Sequence, residues 1–125
     1  MDYRLGTGVI NHNGGEILVL YSNRAIAEAE SMMGKGIIGV LNGFENGQSG
    51  VKEVAVLFSA GMDAARRYYR LGGKRASLQD AYDLMDQIGF TVVAAEVFQA
   101  VSEVIAHSGD DNQDETEDSE SEKNQ

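Results

Sequence analysis

With 125 residues, 42% of them hydrophobic, the chain has the length of one domain and enough apolar side chains for a modest core. The absence of cysteine removes disulfides and thiolate metal sites, and no run approaches the roughly 18 apolar residues that a membrane span needs. The net charge of -10 is lopsided. Residues 109–125 carry eight acids and one lysine (-7), whereas the remainder carries twelve acids and nine bases (-3).

The N-terminus "MDYRLGTGVI" lacks a charged segment followed by an apolar one, so no secretory leader is expected and a soluble cytoplasmic protein is the default. "LGTGVI" (Leu5–Ile10) and "EILVLY" (Glu16–Tyr21) flank "NHNGG", and Asn13-Gly14 between such runs predicts a β-hairpin. In "YSNRAIAEAESMMGKG", Ser22 or Asn23 can cap a helix. Ala25, Ala29, Met32 and Met33 come next at helical spacing with Ile26 beside them, and Gly34 sits where a helix ends in a left-handed residue.

"GKGIIG" (Gly34–Gly39) has the G-x-G-x-x-G pattern of a dinucleotide loop, with Glu53 nineteen residues beyond its first glycine. Such a loop must follow a buried strand and open a helix, whereas here the first glycine closes one. A phosphate loop fails as well, because Gly36 replaces the Ser or Thr after Lys35 and Ala29 replaces the leading glycine. No nucleotide cofactor is therefore expected. Gly36 and Gly39 are read as loop punctuation, with "IIGVLNGF" a short apolar turn.

"SGVKEVAVLFSAGM" predicts the next helix, capped by Ser49 and ended or bent by Gly61, with Val51, Val54, Ala55, Leu57 and Phe58 on its apolar face. "DAARRYYRLGGKR" then concentrates Arg66, Arg67, Arg70, Lys74 and Arg75 around Tyr68 and Tyr69. Basic residues interleaved with aromatics can hold a nucleic-acid backbone and stack bases. In a chain this acidic, a solvated face or a dock for an acidic partner or for the chain's own tail fits better, and no nucleic-acid partner is expected.

"ASLQDAYDLMDQIG" holds a Ser77/Asp80 capping box, an apolar stripe of Leu78, Ala81, Tyr82, Met85 and Ile88, and a closing Gly89. Thr91 can cap the last helix, whose apolar face is Val93, Val97, Phe98, Val101, Val104 and Ile105. These two helices are predicted to form an antiparallel pair. The expected fold is α+β, mainly α: an N-terminal β-hairpin followed by a small bundle of three to four helices over residues 1–108. A disordered acidic tail over 109–125, without one apolar residue, completes it.

No catalytic constellation is present. His12 and His107 stand alone. Asp80, Asp83 and Asp86 fit a solvated helix face better than a cation site, and "DDNQDETED" lacks the glycine of a calcium loop. Neither an enzyme nor a metal protein is expected.

From about Val19 to Ile105 the order of segments resembles the tail assembly chaperones of long-tailed bacteriophages and gene transfer agents. The phrases that carry the resemblance are "YSNRAIAEAESMMGKGI", with Glu30 four residues before Gly34, "LFSAGM" (Leu57–Met62), and "ASLQDAYDLMDQIG" (Ala76–Gly89). The basic link and the conspicuous acidic tail depart from the family's usual pattern. The resemblance implies a non-enzymatic protein of the host cytoplasm that coats the tape-measure protein, helps recruit tail-tube subunits and is absent from the mature virion; assembly along a long client leaves room for self-association, and the sequence does not fix the oligomeric state. Candidate client-binding residues are Met32, Met33, Ile37, Ile38 and Met62, since flexible apolar side chains adapt to a helical client; Met85 fits the core. The family also implies a longer form made by ribosomal frameshifting, and Glu122-Lys123-Asn124 is encodable by a slippery run of adenines. The alternative is a small acidic interaction module, a regulator that occupies a basic partner.

Overall fold

The computed structural model describes residues 2–48 and 50–107, and the tail expected to be disordered lies outside the described residues. Strands β1 (Thr7–His12) and β2 (Gly15–Leu20) pair antiparallel with His12 opposite Gly15, so the turn is the two residues Asn13-Gly14. Both have positive φ, 52° and 77°, the backbone that a type I′ turn demands and that Asn-Gly tolerates. Five helices complete the described chain: α1 (Asn23–Met33), α2 (Ile37–Glu45), α3 (Val51–Tyr68), α4 (Leu78–Ile88) and α5 (Phe90–Ala106). The architecture is thus α+β, mainly α.

Helix α3 is the axis of the molecule. It is buried from Val54 to Gly61, packs β2 and α1 on its flanks and is also touched by α4 and α5. Residue Val51, expected on its apolar face, is exposed in its first turn. Gly50 is the N-cap of the helix, and the Gly50 N–H donates to the Glu53 carboxylate at 2.9 Å; Ser49, the expected cap, is outside the described residues.

Gly61 does not end α3, which runs seven residues further to Tyr68. Its role is close approach. A Cβ there would lie 2.5 Å from Oη and 2.6 Å from Cζ of Tyr21, and 2.9 Å from Cβ of Val19. The Tyr21 ring, fully buried, lies across this notch and its hydroxyl donates to the Leu57 carbonyl at 2.6 Å. Burial pushes that phenol far above its ordinary titration range. Gly8 plays the equivalent part on β1, where a Cβ would meet Val19 Cγ2 at 2.9 Å and the Glu96 carbonyl of α5 at 3.2 Å.

The ends of α1 and the start of α4 agree with the sequence. Ser22 accepts from Ala25 N–H at 3.1 Å, and Gly34 closes α1 with φ 70°. Ser77 and Asp80 exchange reciprocal bonds of 3.0 and 2.9 Å at the start of α4. Helices α4 and α5 meet at Gly89 alone, and the chain turns there by 118°. A one-residue link is too short for the expected antiparallel reversal, so the pair forms a corner. Gly89, not Thr91, is the N-cap of α5.

Candidate functional site

The stretch 34–45 holds an additional helix where a loop and short turn were expected. Ile37, Val40, Leu41 and Phe44 recur at i, i+3, i+4 and i+7, which places them on one face. Ile37 and Val40 are buried, and Phe44 stacks on Phe98 of α5 with ring centroids 4.3 Å apart. That burial compensates two interior glycines, Gly39 and Gly43, each of which weakens a helix relative to alanine.

The G-x-G-x-x-G segment links α1 to α2, with α1 and not a parallel strand leading into it. Gly36 is the N-cap of α2, and the Glu30 carboxylate accepts from Ile37 N–H at 2.8 Å. A side chain of the protein thus occupies the helix start that a pyrophosphate takes in a dinucleotide loop. Lys35 reaches across to Glu53 at 3.1 Å. The hydrogen bond from Lys35 holds the Glu53 carboxyl below the usual range, outweighing the opposing effect of burial.

At this corner Met32 is 46% and Ile38 55% exposed, one on each side of the glycine turn. Met33 is half-buried and Ile37 buried, both packed on the core. Met62 is half-buried in α3, again against the core, and Met85 is a core residue. Two clefts flank α2. One of about 350 Å³ is lined by Gly36, Gly39, Val40, Gly43 and Glu53 among others; one of about 270 Å³ lies between Leu41 and Phe44 on one side and Ala95, Phe98 and Ser102 on the other.

A Cβ built on Gly39 meets nothing within 4 Å, so the backbone of α2 is open there. Gly39→Ala is expected to stabilise the protein by about 0.5–1 kcal/mol, because it removes glycine's entropy cost without a clash. A urea denaturation midpoint that moves upward with unchanged slope checks this.

The basic residues are arranged otherwise than their sequence order suggests. Arg66, Arg67 and Arg75 converge on Asp63, which is buried: Arg66 Nη2 donates to Oδ1 at 2.9 Å, Arg67 Nε to Oδ2 at 3.2 Å, and Arg75 Nε lies 3.8 Å from Oδ2. Burial pushes the Asp63 carboxyl up, but the hydrogen bond from Arg66 and the charges of Arg67, Arg75 and Arg66 outweigh it and hold the group below the ordinary range. Arg70 lies just past the end of α3 with φ 55°, and Arg70 and Lys74 are exposed.

Two further arginines, which no local signal in the sequence connects to this stretch, join it. Tyr69 accepts from Arg4 N–H at 2.9 Å and shares a 2.9 Å hydrogen bond with Thr7 Oγ1, which pins the N-terminal segment to the end of α3. The Arg4 guanidinium then lies 5.0 Å from the Tyr68 ring centroid. Arg4, Arg24 and Arg67, with Tyr68 and Ser22, line a groove of about 250 Å³.

No group of three or more His, Asp or Glu side chains suited to a metal ion occurs among the described residues, and no helix among them is by itself long and apolar enough to cross a membrane. The fold and surface define a small helical domain with an apolar corner at α1–α2 and a basic groove at the end of α3. No protein-family model matches the chain, nor does any curated protein or solved structure.

Proposed function

We propose that this protein is a tail assembly chaperone, which binds the helical tape-measure protein through the α1–α2 corner, assists tail-tube assembly in the host cytoplasm and leaves before the virion is complete. The observation that carries the reading is the pair Met32 and Ile38, exposed on either side of one glycine turn, at the start of a helix whose other residues line two clefts. Exposed apolar side chains beside an open helix backbone suit an amphipathic client helix, which would lay its own apolar face into the corner. Methionine adapts to successive sites along a long client whose sequence varies. The reading assigns no catalysis and no cofactor to the chain.

Co-expression tests it. A phage tape-measure protein is expected to be insoluble alone and soluble when co-expressed with this protein. Met32→Asp combined with Ile38→Asp is expected to abolish the rescue with little change in thermal midpoint, because neither side chain is buried. A client equally soluble or insoluble with and without the protein would contradict the proposal.

A further inference from the structure

Arg4, Arg24 and Arg67 come from the N-terminal segment, the start of α1 and the end of α3, and they face one cavity. Glu28 lies 3.6 Å from Arg24 and 3.9 Å from Arg67, and Asp63, shared with Arg66 and Arg75, lies 3.2 Å from Arg67; two carboxylates among five guanidinium groups leave this end of the molecule net positive. Arg4 makes no ion pair among the described residues; its guanidinium rests on the Tyr68 ring. A second cavity of about 440 Å³ shares Arg4 and Ser22 with the first and is lined on its other side by Val104, Ile105 and His107. The last described turn of the chain therefore lines a cavity that adjoins the basic groove.

The sequence beyond His107 is the most acidic part of the protein. Asp110, Asp111, Asp114, Glu115, Glu117, Asp118, Glu120 and Glu122 lie within fifteen residues of it. Asp114 is seven residues beyond His107, a span of up to about 25 Å in extended chain, enough to cross from the second cavity into the first. A short tether raises the effective concentration of these carboxylates to roughly millimolar, so weak individual arginine–carboxylate contacts suffice for occupancy.

We propose that the acidic C-terminal segment, residues 110–122, docks into the groove formed by Arg4, Arg24, Arg67 and Tyr68 of the same molecule. The docked segment screens the basic end of α3 from external polyanions. It also links the two chain termini, because the groove is built partly from Arg4.

The absence of native cysteine allows a single spin label at Ser119→Cys in the full-length chain. At low salt, the amide resonances of Arg4, Ser22, Arg24 and Tyr68 are expected to lose most of their intensity, while those of Asn13 and Gly14 at the hairpin tip keep theirs. Raising NaCl to about 0.5 M, where the Debye length falls to a few ångströms, is expected to restore the signals. The full-length double variant Arg4→Ser, Arg24→Ser is expected to restore them at low salt, with its fold checked by the unchanged dispersion of the core resonances.

Equal broadening over the whole surface, or none at the groove, would overturn the proposal. A sample mixing spin-labelled unenriched chain with unlabelled isotopically enriched chain reports the other occupant. Full broadening at the groove in that sample would mean that a second copy supplies the tail, which also overturns the intramolecular assignment.

Discussion

Gly61→Ala is expected to cost about 3 kcal/mol of stability, a large overpacking penalty even though alanine is the better helix former. The new methyl would enter a space already filled by the Tyr21 ring and Val19. The ring cannot swing aside freely, since it is fully buried and its hydroxyl is tied to the Leu57 carbonyl. Relief therefore requires β2 and α3 to separate, which disturbs the central packing of the fold. Chemical denaturation measures the loss, and a double-mutant cycle locates it. Tyr21→Phe alone is expected to cost about 1 kcal/mol for the lost hydrogen bond, whereas combined with Gly61→Ala it should cost less than the sum, because the closest clash is with the hydroxyl. Strict additivity would place the Gly61 effect elsewhere.

The second large effect belongs to Asp63. Removing one member of a buried ion-pair network strands its partners, and the Nε of Arg66 is already buried without a hydrogen bond. The arginine side chains are 29%, 44% and 63% exposed, so solvent takes up part of the loss; Asp63→Ala is expected to cost about 2 kcal/mol at neutral pH. The pH dependence has a definite sign. Because the folded carboxyl titrates below its unfolded value of roughly 3.9, its contribution is complete above that pH and disappears as pH falls through the folded pKa. The gap between wild type and variant should be constant from pH 7 to about 5 and narrow below about 4. Glu53 and Asp80 are held low as well, by the hydrogen bond from Lys35 and by the backbone hydrogen bond from Ser77, but both are present in wild type and variant and cancel in the comparison. A gap that widened in acid would contradict the network.

Local chemistry made several elements legible in the sequence. Asn13-Gly14, Ser22, Gly34 and the Ser77/Asp80 pair each satisfy a turn or helix end with their own side chain or backbone freedom, and each acts there in the fold. Helix α2 was obscured because Gly36, Gly39 and Gly43 signal loop, although Ile37, Val40, Leu41 and Phe44 already carried the helical period. The role of Gly61 was not legible. A glycine that stops a helix and a glycine that admits a distant tyrosine look alike until the strand that packs on it is known. The same holds for the basic groove. Asp63, Arg66 and Arg67 are spaced for mutual contact on one helix, but Arg4 and Arg24 reach the groove only through tertiary structure, by way of Tyr69 and the start of α1. Of the client-binding candidates, Met32 and Ile38 share an exposed corner while Met33, Ile37 and Met62 also serve the core, a division that periodicity alone does not make.

The central claim is that an apolar corner at α1–α2 receives a client helix, and methyl NMR of the full chain tests it most directly. Titration with a helical segment of a phage tape-measure protein, the proposed client, is expected to shift the methyl signals of Met32 and Ile38 progressively while that of Met85, inside the core, stays in place. Unmoved Met32 and Ile38 signals at saturating segment, with shifts confined to the basic groove, would contradict it.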